Sequence, residues 1–174
     1  VYEEVAELFD KGDHDAAVDR SSVIHDGAYR YEELPASGEG VTDEQYIWMI
    51  IAWFRANSFY FTERYDDALP LYEHIIDHFP TSGLTGYLYG YCADCHWQNG
   101  GKEKAYTLLE KGDAILPDPE RSIIFWYTAS FLYQDGVYQN AAAAGDQSWL
   151  LNPEFPGGLF YSSLANLRLD RYGD

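Results

Sequence analysis

Apolar residues along this chain recur every three to four positions, the spacing of a helix with one buried face. The pattern is clearest over Trp53–Pro80, WFRANSFYFTERYDDALPLYEHIIDHFP. It predicts two amphipathic helices joined by a tight turn at Thr62–Glu63–Arg64. Ala56 and Ala68 sit where the two helices must approach closely, Phe59, Tyr65, Tyr72 and Ile75 fill the space around them, and Pro80 closes the unit. Upstream, Val1, Val5, Leu8 and Phe9 give a first helix. Lys11–Gly12–Asp13 gives a turn, and Ala17, Ser21 and Ile24 mark a second helix. Gly27–Val41 interrupts the period with Gly, Pro and Ser and predicts a surface loop. Helix signals resume at Thr42, with Gln45 three residues on as a capping box.

From there the pattern repeats in register. Ala68, Ala105 and Ala141 lie 37 and 36 residues apart, and so do Pro80, Pro117 and Pro153. Small residues Ala56, Ala93 and Ala129 recur in the first helix of each pair, and Gly100 and Gly136 in the matching turns. Asp118–Pro119 predicts an N-cap followed by proline at the first helical position. Arg171–Tyr172–Gly173–Asp174 copies Arg64–Tyr65–Asp66–Asp67, so a continuation into further repeats is expected.

Helix–turn–helix units of this length with these columns resemble the tetratricopeptide repeat, whose period is about 34 residues. The resemblance implies an all-α, right-handed superhelical solenoid, one domain over 1–174. It would comprise a degenerate first repeat at 1–26, an insertion at 27–41, full repeats at 42–80, 81–117 and 118–153, and a truncated one at 154–174. In that family the first helix of each pair lines a concave groove. The matching places here include Trp53, Asn57, Tyr60 and Phe61, then Tyr87, Asp94 and Trp97, then Trp126 and Tyr133, with Phe160, Leu164 and Leu167 following. The groove implied is aromatic and nearly uncharged, and Trp and Tyr are the residue types that dominate interface hot spots. The function expected is a scaffold or adaptor that binds a peptide or protein segment. Asn57 matches one residue of the carboxylate clamp known in the family, but Trp53, Gly90 and Trp126 stand where its lysines would be.

Composition narrows the partner. The 174 residues carry a formal charge of −18 with 47% hydrophobic and 17% aromatic residues. A globular chain of this charge has no basic face for nucleic acid and would be repelled by anionic membrane surfaces. An apolar or basic protein partner is expected, and self-association into a structural array is an alternative. No apolar run is long enough to span a membrane. The cytoplasm is the expected compartment, with the periplasm the alternative if an upstream signal has been removed.

Two constellations have chemical potential. Cys92–Ala93–Asp94–Cys95–His96 matches the CxxCH pattern of haem attachment, which makes a haem or thiol-redox protein a second functional reading. The competing reading is two buried cysteines behaving as small hydrophobes. His74 and His78 have the i, i+4 spacing of zinc ligands without a clear third ligand, so no metal is expected. No nucleophile elbow, phosphate loop or paired acid–base arrangement is present, and an enzyme is not expected.

Overall fold

The structure is a computed structural model that describes residues 2–25, 43–81 and 85–172. The 27–41 insertion and the Thr42 cap lie outside the described residues. Among these residues there are nine α-helices and no strand: α1 Tyr2–Asp10, α2 His14–His25, α3 Asp43–Phe61, α4 Tyr65–His78, α5 Thr85–Gln98, α6 Lys102–Ile115, α7 Asp118–Gln134, α8 Tyr138–Leu151 and α9 Gly157–Tyr172. The fold is all-α. It comprises two compact units, Val1–Ser82 with Cys95–Gly100, and Gly83–Asp94 with Gly101–Asp174.

The turns repeat to the residue. Gly12, Glu63, Gly100 and Gly136 all have positive φ, at 74°, 59°, 79° and 76°, and each stands five residues before the alanines Ala17, Ala68, Ala105 and Ala141. A left-handed residue lets the chain reverse while the last carbonyls of the first helix are satisfied. The Glu63 N–H donates to the Tyr60 carbonyl at 3.0 Å and the Arg64 N–H to that of Phe59 at 2.8 Å. Gly136 and Val137 make the same pair of bonds to Tyr133 and Leu132, as do Gly12 and Asp13 to Phe9 and Leu8. The residue after each corner opens the next helix in one conformation, with φ/ψ of −90/61° at Arg64, −86/52° at Gly101 and −88/65° at Val137. Glycine reaches positive φ without steric cost. Glu63 is the exception in the column.

The second helices α4, α6 and α8 are each 14 residues long. Each ends two residues before Pro80, Pro117 or Pro153. A proline ring pushes the preceding residue out of the helical region, and Leu116 and Asn152 are extended, at φ/ψ of −86/150° and −147/91°. The start of α7 differs by one residue from expectation. Pro117, not Asp118, occupies the cap position, and no side chain closes it. The Pro117 carbonyl accepts the Glu120 and Arg121 N–H groups directly, at 3.1 and 3.0 Å, so Asp118 is already helical.

The small-residue columns are the innermost points of each unit. Ala17, Ala56 and Ala68 in the first, and Ala93, Ala105, Ala129 and Ala141 in the second, have no exposed surface. Larger residues close around them, among them Val5, Tyr72 and Ile75 in the first unit and Leu88, Leu109, Ile124 and Phe131 in the second. The helix α9 packs on α8 through Gly158, Ser162 and Ala165. A Cβ added to Gly158 would lie 2.6 Å from the Gly145 carbonyl oxygen, and one added to Gly145 would lie 2.6 Å from that of Gly158. The Ser162 hydroxyl donates to Asp146 at 2.5 Å, and Ala165 joins the cluster of Ala141 and Ala142.

Polar ties join elements at the rims. In the first unit the Asn99 amide donates to Asp66 at 2.8 Å. In the second, the Lys102 ammonium donates to Asp135, with the Tyr106 hydroxyl 3.5 Å from the other carboxylate oxygen. Burial, and then the Asp135 charge, push the Tyr106 phenol up to about 12.

Two outcomes are expected. Added space is available at Gly136, where a Cβ would meet nothing within 4 Å, so Gly136→Ala should cost about 1 kcal/mol through backbone strain alone. Glu63→Gly should relieve the same strain and raise stability by up to about 1 kcal/mol, less the added freedom of the unfolded chain. Urea denaturation of both variants checks the pair. The second outcome concerns alkali. An unfolded tyrosine ionises near pH 10, whereas Tyr106 holds its proton until about 12. Its contribution to stability is therefore intact below pH 10 and lost as the pH rises towards 12. Stability measured from pH 9 to 12 should fall less steeply in Tyr106→Phe than in the unmodified chain; identical slopes would refute this.

Candidate functional site

Aromatic side chains of the first helices form rows, one in each unit. In the first unit, the Phe9 ring lies 5.2 Å from Phe54 and 6.0 Å from Phe61. Phe61 stacks on His14 at 5.4 Å with 22° between planes. Tyr60 continues the row, 5.4 Å from Phe61 and 5.8 Å from Tyr65. These rings come from α1, the start of α2, the end of α3 and the start of α4, brought together by the two left-handed corners at Gly12 and Glu63. Phe61 is 49% exposed at the end of a helix whose preceding residues Ala56–Phe59 are all buried.

In the second unit, Trp126 meets Phe155 edge-on at 5.6 Å and Tyr161 at 6.5 Å. Tyr161 lies 6.0 Å from Tyr133, which lies 5.4 Å from Tyr138. Hydrogen bonds fix the row. The Ser130 hydroxyl donates to the Tyr161 oxygen at 2.8 Å, and Arg168 Nε donates to the Tyr133 oxygen at 3.0 Å. Trp126, Tyr133 and Tyr161 are half-buried, so each ring presents one edge or face. Edge-to-face pairs at these separations stabilise one another beyond the area they bury.

The other residues expected in the groove are placed differently. Asn57 is buried, and its side-chain oxygen accepts a hydrogen bond from the buried Tyr72 hydroxyl at 2.6 Å. It ties α3 to α4. Trp97 is buried too, at 8% exposure. Trp53 is half-buried and meets Tyr72 edge-on at 5.9 Å. Tyr87 is exposed and stacks on Tyr91 at 6.1 Å, and Asp94 is half-buried. Sequence reasoning misses Phe9 and His14 because the first repeat is too degenerate to align, and Phe54 because its place, next to Trp53, is not among the groove-lining places of the repeat. It misses Phe155 because that residue lies between α8 and α9, and Tyr161 because a 34-residue period brings Phe160, not Tyr161, into the place of Trp126. The signal available for Tyr161 was its position 36 residues after Phe125.

The CxxCH residues do not fit a covalently held haem. Cys92, Ala93 and Cys95 have no exposed surface, so the two thiols have no opening towards a macrocycle. His96 Nε2 lies 3.2 Å from Glu73. The His74 and His78 rings stand 4.1 Å apart, with His78 Nδ1 2.9 Å from the His74 carbonyl oxygen. Among the described residues no three His, Cys, Asp or Glu side chains are grouped so as to hold a metal ion, and no helix is long and apolar enough to cross a membrane.

Compared with protein-family models, with curated proteins and with solved structures, the chain gives no significant match in any of the three.

The structural role of Asn57 is testable. Asn57→Ala leaves the buried Tyr72 hydroxyl without its acceptor and should cost about 2–3 kcal/mol. Adding Tyr72→Phe should recover part of that loss, so the two changes together cost less than their sum. Chemical denaturation of the four-member cycle checks this. Strict additivity would show that the bond contributes nothing.

Proposed function

We propose that the chain is a tetratricopeptide-type repeat module that binds a segment of another protein, using its aromatic rows as anchors. The observation that supports this reading is the placing of rings on the first helices of the pairs. Phe61 with Tyr60 and Trp126 with Tyr133 belong to the two rows, are at least partly accessible, and are held rigid by neighbours. Rigid aromatic side chains lose little conformational freedom on binding, which is why they concentrate at hot spots. The ligand proposed is an extended or helical segment with apolar side chains and neutral to basic character. A chain of net charge −18 attracts cationic segments and speeds their encounter, and it repels acidic ones. The same charge opposes self-assembly into an array. Nothing in this reading calls for a catalytic group, and the buried thiols give no support to a redox role.

The test is a selection of random peptides displayed on phage against the intact chain, with affinities of synthetic winners measured by calorimetry. Enriched peptides should combine apolar or aromatic residues with Lys or Arg. Phe61→Ala and Trp126→Ala, one in each unit, report separately on the two rows. At least one should weaken binding tenfold or more, about 1.4 kcal/mol, while leaving helical circular dichroism intact. Binding should also weaken as salt rises from low to high ionic strength. No enrichment, or winners whose affinity neither variant changes, would sink the proposal.

A further inference from the structure

A pocket of ≈ 260 Å³ opens in the second unit, where the starts of α5 and α7 meet the link between α8 and α9. Gly86 lets the two helix starts touch there. A Cβ on it would lie 2.8 Å from the Glu120 carbonyl oxygen and 3.0 Å from the end of the Ile123 side chain. Tyr87, Glu120, Asn152 and Phe155 also line the pocket. Tyr87 is exposed and Phe155 half-buried, so both rings present surface. The volume is above the ~150 Å³ that holds a benzene ring and just under the ~300 Å³ at which pockets for drug-sized ligands begin. It suits one long side chain.

Among the described residues, the carboxyl group of Glu120 has no partner. Its Oε2 is buried and meets no donor, and Oε1 makes no hydrogen bond or ion pair. The cation next to it in sequence is committed elsewhere. Arg121 gives Nε to Asp113 at 2.7 Å and Nη1 to Asp118 at 2.9 Å. A carboxylate accepts hydrogen bonds and cannot donate them, and one oxygen left dry carries its full desolvation cost. An occupant with positive charge and N–H donors removes that cost. The terminal torsion of a glutamate is broad, so a turn of the group exchanges the two oxygens and lets either meet the occupant. Rings beside the carboxylate add to the attraction, because an aromatic face draws a cation.

We infer that this pocket takes an arginine side chain of the segment bound along the second aromatic row. A guanidinium carries its N–H donors in a plane that pairs with a carboxylate and stacks on rings, which a lysine ammonium does not. An acidic side chain is repelled by Glu120, and an uncharged apolar one leaves the carboxyl group unpaired. The pocket adjoins the row through Phe155, whose ring meets Trp126 edge-on at 5.6 Å. The inference rests on reading the chain as a peptide-binding module. It adds a fixed position to the ligand, an arginine close to the apolar residue that meets Trp126.

The probe is N-acetyl-arginine amide, titrated into the intact isotope-labelled chain and followed by amide chemical shifts. The signals of Gly86, Tyr87 and Phe155 should move saturably. N-acetyl-citrulline amide has the same shape without the charge, and it should give no saturation over the same range. Glu120→Gln should remove the response to arginine. Glu120 makes no bond for this change to break, so circular dichroism and melting temperature should match those of the unmodified chain. Tyr87→Ala, at an exposed site, should weaken binding roughly threefold, the share of one cation–π contact. Absence of saturation, an equal response to citrulline, or a response retained in Glu120→Gln overturns the inference. So does tighter binding of free arginine than of the capped form, because the pocket would then serve a small molecule and not a side chain. Any of these results leaves the peptide-binding reading in place, since that reading falls only with the phage selection and its Phe61→Ala and Trp126→Ala variants.

Discussion

The close approach of helix backbones at small residues is the constraint on which this structure depends. Where Gly145 faces Gly158, each backbone leaves the other no room for a methyl group. At Ala56 and Ala68 in the first unit, and at Ala105, Ala129 and Ala141 in the second, alanine is fully enclosed. Interiors pack at crystal-like density, so an extra methylene at such a crossing must displace a backbone. The left-handed corners serve this constraint. By reversing the chain with the same dihedrals each time, they deliver the second-helix alanine to the same point opposite the first helix. The bulky residues then have fixed gaps to fill, and Tyr72 in the first unit and Phe131 in the second occupy them.

Much of this was legible in the sequence, because the constraint falls on residue types that few substitutes satisfy. Only small side chains fit the crossings and glycine is the easiest residue at positive φ, while a proline forces the residue before it out of the helix. The alanine, glycine and proline columns therefore appear at constant intervals, and the helices fall where those columns place them. Glu63 escaped because its left-handed conformation is imposed by the corner and not invited by the residue. Asn57 was assigned to a surface by resemblance, but Tyr72 holds its side chain inside. The packing face of α9 was the largest element that pattern could not decide. A helix with Gly158, Ser162 and Ala165 on one side and Phe160, Ser163 and Leu167 on the other satisfies the same periodicity whichever side is buried. The choice is tertiary: Gly145 and Ser148 on α8 accept only the small side.

The charge of the chain bears on association more than on folding. The ion pairs found here, such as Lys11 with Glu7 and Arg64 with Asp67, lie at the surface with about half of each side chain or more accessible. Pairs of this kind contribute little, typically under about 1 kcal/mol. Arg121 is better placed, held by both Asp113 and Asp118, yet it joins the end of one helix to the start of the next and reaches no core. Stability rests instead on apolar packing that is indifferent to pH over the neutral range. An excess of 29 acidic over 11 basic residues can then accumulate on the outside without contesting the fold. In the proposed reading it favours cationic partners at long range, while the exposed aromatic rings supply the short-range contacts. Separating the two in this way lets a surface be selective in charge and adhesive in contact without placing any charge in a core.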